Sequence, residues 1–130
     1  MSSEALVLIA ERDQRVRDFQ KFFLERAGLI AEFVDDGEAA LDRTRALRPA
    51  VVVAEILIPR IDGLALCRRL RADPDTAHIP VIIFSVLAAS VRAREAGASA
   101  FLPKPLVESI FVATVRAAMA AQPGTAMEQQ

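Results

Sequence analysis

The chain has 130 residues and a net charge of −1, from Lys+Arg 16 against Asp+Glu 17. A chain of that length forms one domain that buries a core without disulfide or metal staples. Its near-neutral balance excludes a nucleic-acid or anionic-membrane surface built on bulk charge. The single Cys67 excludes an internal disulfide and a cysteine-cluster metal site, and fits a reducing compartment.

The start, MSSEALVLIAERD, has no basic segment, and its apolar run at 5–10 is too short for a signal sequence or a membrane span. A cytoplasmic protein is the expectation. Residues 5–10 read as a strand, and DQRVRDFQKFFLERAG reads as a helix with Val16, Phe19, Phe23 and Ala27 on one face and Gly28 just past its end. A second strand is expected at 29–34, then a helix in DGEAALDRTRALRP stopped by Pro49. AVVVAE, 50–55, is the most strand-like run. DGLALCRRLRADP follows as a helix with Asp62 as N-cap. PVIIFS (80–85) is a fourth strand, ASVRAREAG a short helix, AFLP (100–103) a fifth strand, and 106–121 a last helix stopped by Pro123. The organisation expected is one domain over 1–122 and a disordered tail over 123–130.

Five strand–helix alternations predict a parallel sheet with helices on both faces. Ligands in such sheets sit beyond the carboxyl ends of the strands. The residues placed there are Glu11-Arg12-Asp13, Asp35-Asp36, Glu55, Ser85 and Lys104.

This set, in this order, resembles the receiver domain of two-component response regulators over residues 4–121. VLIAERDQRVR resembles the family's first strand and acid pair, with Glu11 and Arg12 at the two acid positions. RPAVVVAEILIPRIDG resembles the phosphoacceptor stretch, with Glu55 at the acceptor and Pro59, Asp62 and Gly63 in the following loop. IPVIIFS places Ser85 at the hydroxyl position, and EAGASAFLPKP places Phe101 at the aromatic switch and Lys104-Pro105 at the Lys-Pro pair. The resemblance implies a flavodoxin-like (βα)5 fold. It also implies a pocket in which Mg²⁺ and the lysine neutralise a transferring phosphoryl group.

Two departures bear on that chemistry: Glu55 replaces the acceptor Asp, and Arg12 replaces the second Mg²⁺-binding acid. The interval from Ser85 to Lys104, 104 − 85 = 19 positions, is also short for the family and should trim the fourth helix or the loop before it. Glu11, Glu55, Arg12 and Lys104 together carry −2 + 2 = 0 charges. A unit pair near 4 Å is worth ~4 kcal/mol at an effective dielectric of about 20, before desolvation. The expectation is an internally satisfied, non-enzymatic pocket with no cofactor, in which Arg12 stands in for the metal and pairs with Glu55.

The expected function is signalling by protein–protein interaction without phosphorylation. The partner is bound in trans or is a second copy, with no nucleic acid and no membrane. No output domain is expected after residue 121. The last helix offers Leu106, Ile110, Ala113 and Ala117 to the sheet, and Val107, Phe111, Val115 and Met119 as a candidate contact face. Two alternatives stand. In one, a Mg²⁺-dependent phosphoacceptor survives, with Asp13 or Asp36 recruited and Glu11, Asp13 and Glu55 as weak metal candidates. In the other, the chain is an unrelated flavodoxin-like ligand-binding protein, against which the turn AERDQRV offers no phosphate-cradling glycine.

Overall fold

The computed structural model describes residues 5–121. The expected tail at 123–130 lies outside these. Five strands, β1 (Leu6–Ala10), β2 (Ile30–Val34), β3 (Val51–Ala54), β4 (Val81–Ser85) and β5 (Ala100–Pro103), pair in parallel in the order β2-β1-β3-β4-β5. The helices are α1 (Gln14–Arg26), α2 (Gly37–Leu47), α3 (Gly63–Ala72), α4 (Ser90–Glu95) and α5 (Glu108–Ala120). This is the flavodoxin-like (βα)5 architecture that the alternation predicts.

Period-two alternation divides each strand between two cores. Leu8, Ala10, Val52, Ala54, Val81 and Ile83 face one way, onto α2, α3 and α4. Val7, Ile9, Val51, Val53, Ile82 and Phe84 face the other way, onto α1 and α5. Burial on both faces is why these strands read as unbroken apolar runs. In register, Ala10 of β1 lies beside Ala54 of β3, and Ser85 of β4 beside Pro103 of β5. Glu11, Glu55, Ser85 and Lys104 therefore leave the sheet at one edge.

Asp13, Asp36 and Asp62 each turn a carboxylate back onto the opening N–H groups of α1, α2 and α3. Such caps satisfy donors that the helix itself cannot. The shortened fourth segment is taken up by α4, which has 6 residues and no side-chain cap.

Two helix faces differ from expectation. In α1 the buried residues are Gln20 and Leu24, and Phe19 is 56 % exposed. The cause is Arg17. Its guanidinium donates to the carbonyls of Glu11 and Val34, the latter at 2.8 Å, pairs with Asp35 at 2.5 Å and stacks on the Phe33 ring. Val16, Phe23 and Ala27 still pack against the core as expected, and of that face only Phe19 stays largely exposed.

In α5 the assigned faces are largely exchanged, although Leu106 just before it packs on the core as expected. Phe111 and Val115 are 1 % and 0 % exposed and face the sheet with Ala118, whereas Ile110 is 52 % exposed and Ala113 and Ala117 are also exposed. The larger side chains take the buried side because buried apolar area sets the gain. Phe111 also packs on Phe84, with ring centroids 6.3 Å apart. Phe111 and Val115 are thus core residues and not a contact face. Met119 is half-buried against the same core, and of the four only Val107 is exposed, at 48 %.

Candidate functional site

Four side chains meet where β1, β3, β4 and β5 end. The Lys104 ammonium lies 3.0 Å from Glu55 Oε1, 3.1 Å from Glu11 Oε1 and 3.2 Å from Glu11 Oε2. It also sits over the Phe84 ring, 5.4 Å from its centroid. Glu55 Oε2 accepts from the Ser85 hydroxyl and, at 3.1 Å, from the Leu57 N–H. Glu11 Oε2 accepts from the Asp13 N–H at 3.1 Å. Glu11 and Glu55 are 3 % and 6 % exposed, and the Lys104 side chain is 14 % exposed. Burial alone would push the Glu55 carboxyl up, but the hydrogen bonds from Ser85, Lys104 and Leu57 outweigh it and hold the group below its ordinary value. Burial pulls Lys104 down, and its contacts with Glu55 and Glu11 outweigh that in turn, so its ammonium is held above its ordinary value.

Sequence reading placed Glu11, Glu55, Ser85 and Lys104 at this edge, and the fold brings all four into contact. Arg12 is a correction. Its side chain is exposed and pairs with no carboxylate among the described residues. The expected Arg12–Glu55 bridge does not form. The β1–α1 turn directs Glu11 inward and the next residue outward, which avoids the cost of desolvating a guanidinium. The cluster charge is therefore Glu11, Glu55 and Lys104, −2 + 1 = −1, in place of the neutral sum. Asp13 and Asp36 are spent as helix caps, on the N–H groups of Arg15 and Ala39 at 2.9 and 2.7 Å. Phe101 is half-buried against the core shared with α4.

Three participants were missed: Arg17, the Leu57 N–H and the Phe84 ring under Lys104. An arginine in the first turn of α1, on the side that faces the sheet, was a visible signal for Arg17. The other two depend on loop and ring positions that a linear sequence does not display.

A Mg²⁺ takes near-octahedral oxygen ligands. Here a lysine ammonium stands between the two carboxylates, the second acid position carries an outward arginine, and Asp13 is turned to its helix. This donor set does not fit the ion. The Lys104–Pro105 peptide is cis.

The sheet order, the strand-end acids and the lysine define a receiver. The family model described as the response regulator receiver domain matches residues 7–116, and the chain belongs to that family, the receivers of two-component signalling. It is 35 % identical over 122 residues to the transcriptional regulatory protein CseB of Streptomyces avermitilis, covering 92 % of this chain and 51 % of the relative. It is 33 % identical over 114 residues to the response regulator MprA of Mycolicibacterium vanbaalenii, covering 85 % and 48 %. The chain thus spans about half the length of these relatives. Among solved structures, a response regulator of Chloroflexus aurantiacus J-10-fl superposes with a TM-score of 0.87 at 29 % identity, covering 91 % of this chain and 99 % of that one. The receiver domain of a signal transduction histidine kinase from Syntrophus aciditrophicus gives 0.83 at 32 % identity, covering 89 % and 90 %. Family membership removes the alternative of an unrelated flavodoxin-like protein. Among the described residues no helix is long and apolar enough to cross a membrane.

Proposed function

We propose that this receiver signals by protein–protein contact without phosphoryl transfer, as a non-enzymatic module that needs no Mg²⁺. The observation that carries the reading is the Lys104 ammonium, 3.0 to 3.2 Å from the carboxylates of both Glu55 and Glu11. It occupies the space between them and serves both carboxylates as one shared countercharge without a metal. At the acceptor position both oxygens of Glu55 are engaged, Oε1 by Lys104 and Oε2 by Ser85 and the Leu57 N–H, so a phosphoryl group would have to displace the partners of whichever oxygen it bonded. The contact proposed is with a protein bound in trans or with a second copy of this chain. The contact face on α5 is then the exposed Val107 and Ile110.

The test is incubation of the chain with acetyl phosphate and Mg²⁺, read by intact mass. An unchanged mass is expected. A phosphoryl increment that maps to Glu55 or another pocket acid would sink the proposal.

A further inference from the structure

Among the described residues, the two aromatic rings that stay more than half exposed both lie on α1, Phe19 at 56 % and Phe22 at 53 %. Phe22 is held in place at the surface. The Arg26 guanidinium lies over its ring, 5.4 Å from the centroid, and the Phe23 ring packs beside it at 5.9 Å. A ring already ordered loses little freedom when a partner covers it.

The charges around Phe22 follow a definite order. Asp18, Phe22 and Arg26 stand four residues apart, so they form one ridge on the solvent side of α1. The ridge reads acid, aromatic, base. Asp18 accepts from the Gln14 amide at 2.8 Å and pairs with no cation among the described residues. Arg26 pairs with Glu108 through Nε at 3.0 Å, and its terminal amino groups make no hydrogen bond among the described residues. Arg15 and Glu25, both exposed, flank the ridge with one charge of each sign. Glu108 and Arg116 of α5 border it and cancel in the same way. Lys21, about 100° around the helix from Phe22, stands off the ridge. The face is therefore neutral as a whole and polarised along its length.

A two-fold axis through Phe22 runs the same ridge backwards. Asp18 of each copy then lies beside Arg26 of the other, and the two Phe22 rings meet on the axis. Arg15, one turn further out, meets the C-terminal end of the second copy's helix, where a cation is favoured. Ridges of this four-residue spacing lie side by side in the commonest class of helix pair. A parallel pair would instead set Asp18 on Asp18 and Arg26 on Arg26, so the charge order selects the antiparallel one. Exposed ion pairs add little energy. They fix orientation and register, and the apolar gain comes from Phe22 and Phe19. One 13-residue helix from each side makes a small interface, which places the association in the weak, transient class.

We propose that two copies of this chain associate through α1, antiparallel about Phe22, with Asp18 of each copy on Arg26 of the other. This surface is separate from Val107 and Ile110. It stands whether or not Glu55 accepts a phosphoryl group, so its failure and that of the previous proposal are separate results.

The experiment is sedimentation equilibrium of the full chain at low salt, with the concentration raised to ~1 mM, which populates even a millimolar association. The weight-average mass should climb toward that of a dimer, and amide shifts over the same series should centre on Asp18, Phe22 and Arg26. Asp18→Arg and Arg26→Asp should each weaken the association about tenfold or more, because each sets like charges together at both ends of the ridge. Mixed in equal amounts, the two variants should associate at least as well as the parent, because a ridge with two bases then faces a ridge with two acids. That recovery separates a lost contact from a misfolded variant. Phe22→Ser, at an exposed position that should not affect folding, should weaken the association as well. A mass that stays monomeric would overturn the proposal. So would an association that neither charge variant alters, a mixture that associates no better than its parts, or shifts centred on α5.

Discussion

Glu55 keeps its charge although burial pushes its carboxyl pKa up, because Ser85, Lys104 and the Leu57 N–H surround it with donors. Its folded pKa lies below the unfolded one. Its contribution to stability is therefore complete above the unfolded carboxyl pKa and is lost as pH falls through the folded value. Lys104 has the opposite sign: its folded pKa is raised, so its contribution is complete below the unfolded lysine pKa and is lost as pH rises through the folded one. Glu55→Gln should cost about 1–3 kcal/mol at neutral pH, less than full disruption of a buried pair because Glu11 still holds Lys104. In urea unfolding across a pH series, the gap from the parent should shrink as pH drops below ~4. A constant gap would contradict the ionised Glu55. Arg60 raises a second question at this scale. It sits at φ 71 in the left-handed region, where a side chain costs roughly 1–2 kcal/mol. Its ion pairs with Asp36 and Glu38, both at 3.5 Å on the surface, return little. Arg60→Gly should stabilise the protein by about 0.5–1 kcal/mol, measured as a rise in the thermal midpoint of a few degrees.

At the scale of elements, the strands and the type and order of the helices were legible, because apolar runs and 3.6-residue patterns arise locally. The caps at Asp62 and the turn at Gly28 were legible for the same reason. The rotation of α1 and α5 about their own axes was not. Both helices carry apolar residues around more than one face, so periodicity left two candidate stripes in α5, and the packing of Phe111 on Phe84 selected between them. Two substitutions on adjacent residues test the observed facing. Phe111→Ala should cost about 3–5 kcal/mol, and Ile110→Glu should stay within about 0.5 kcal/mol, both by chemical denaturation. Comparable losses at the two positions would mean that α5 faces the sheet differently. In α1 the deciding contacts were the bonds of Arg17 to carbonyls at the ends of β1 and β2, groups brought together only when the sheet forms.

For the whole molecule, the question is whether the departures at positions 12 and 55 alone account for a pocket that does not fit Mg²⁺. Arg12→Asp with Glu55→Asp restores acids of the usual kind at both positions and shortens the carboxylate that Lys104 now holds. This double variant should gain Mg²⁺ binding in a calorimetric titration that stays flat for the parent. A flat result for the variant would locate the obstacle in the Lys104–Glu11 pair. By itself the sequence determined the parallel sheet, the edge at which function is placed and the four residues that gather there. Alternation and strand-end position follow from local covalent geometry and burial. Only the tertiary structure decided where the charges go. It turned Arg12 to solvent and set Lys104 between two glutamates, because desolvation and hydrogen-bond partners depend on neighbours distant along the chain.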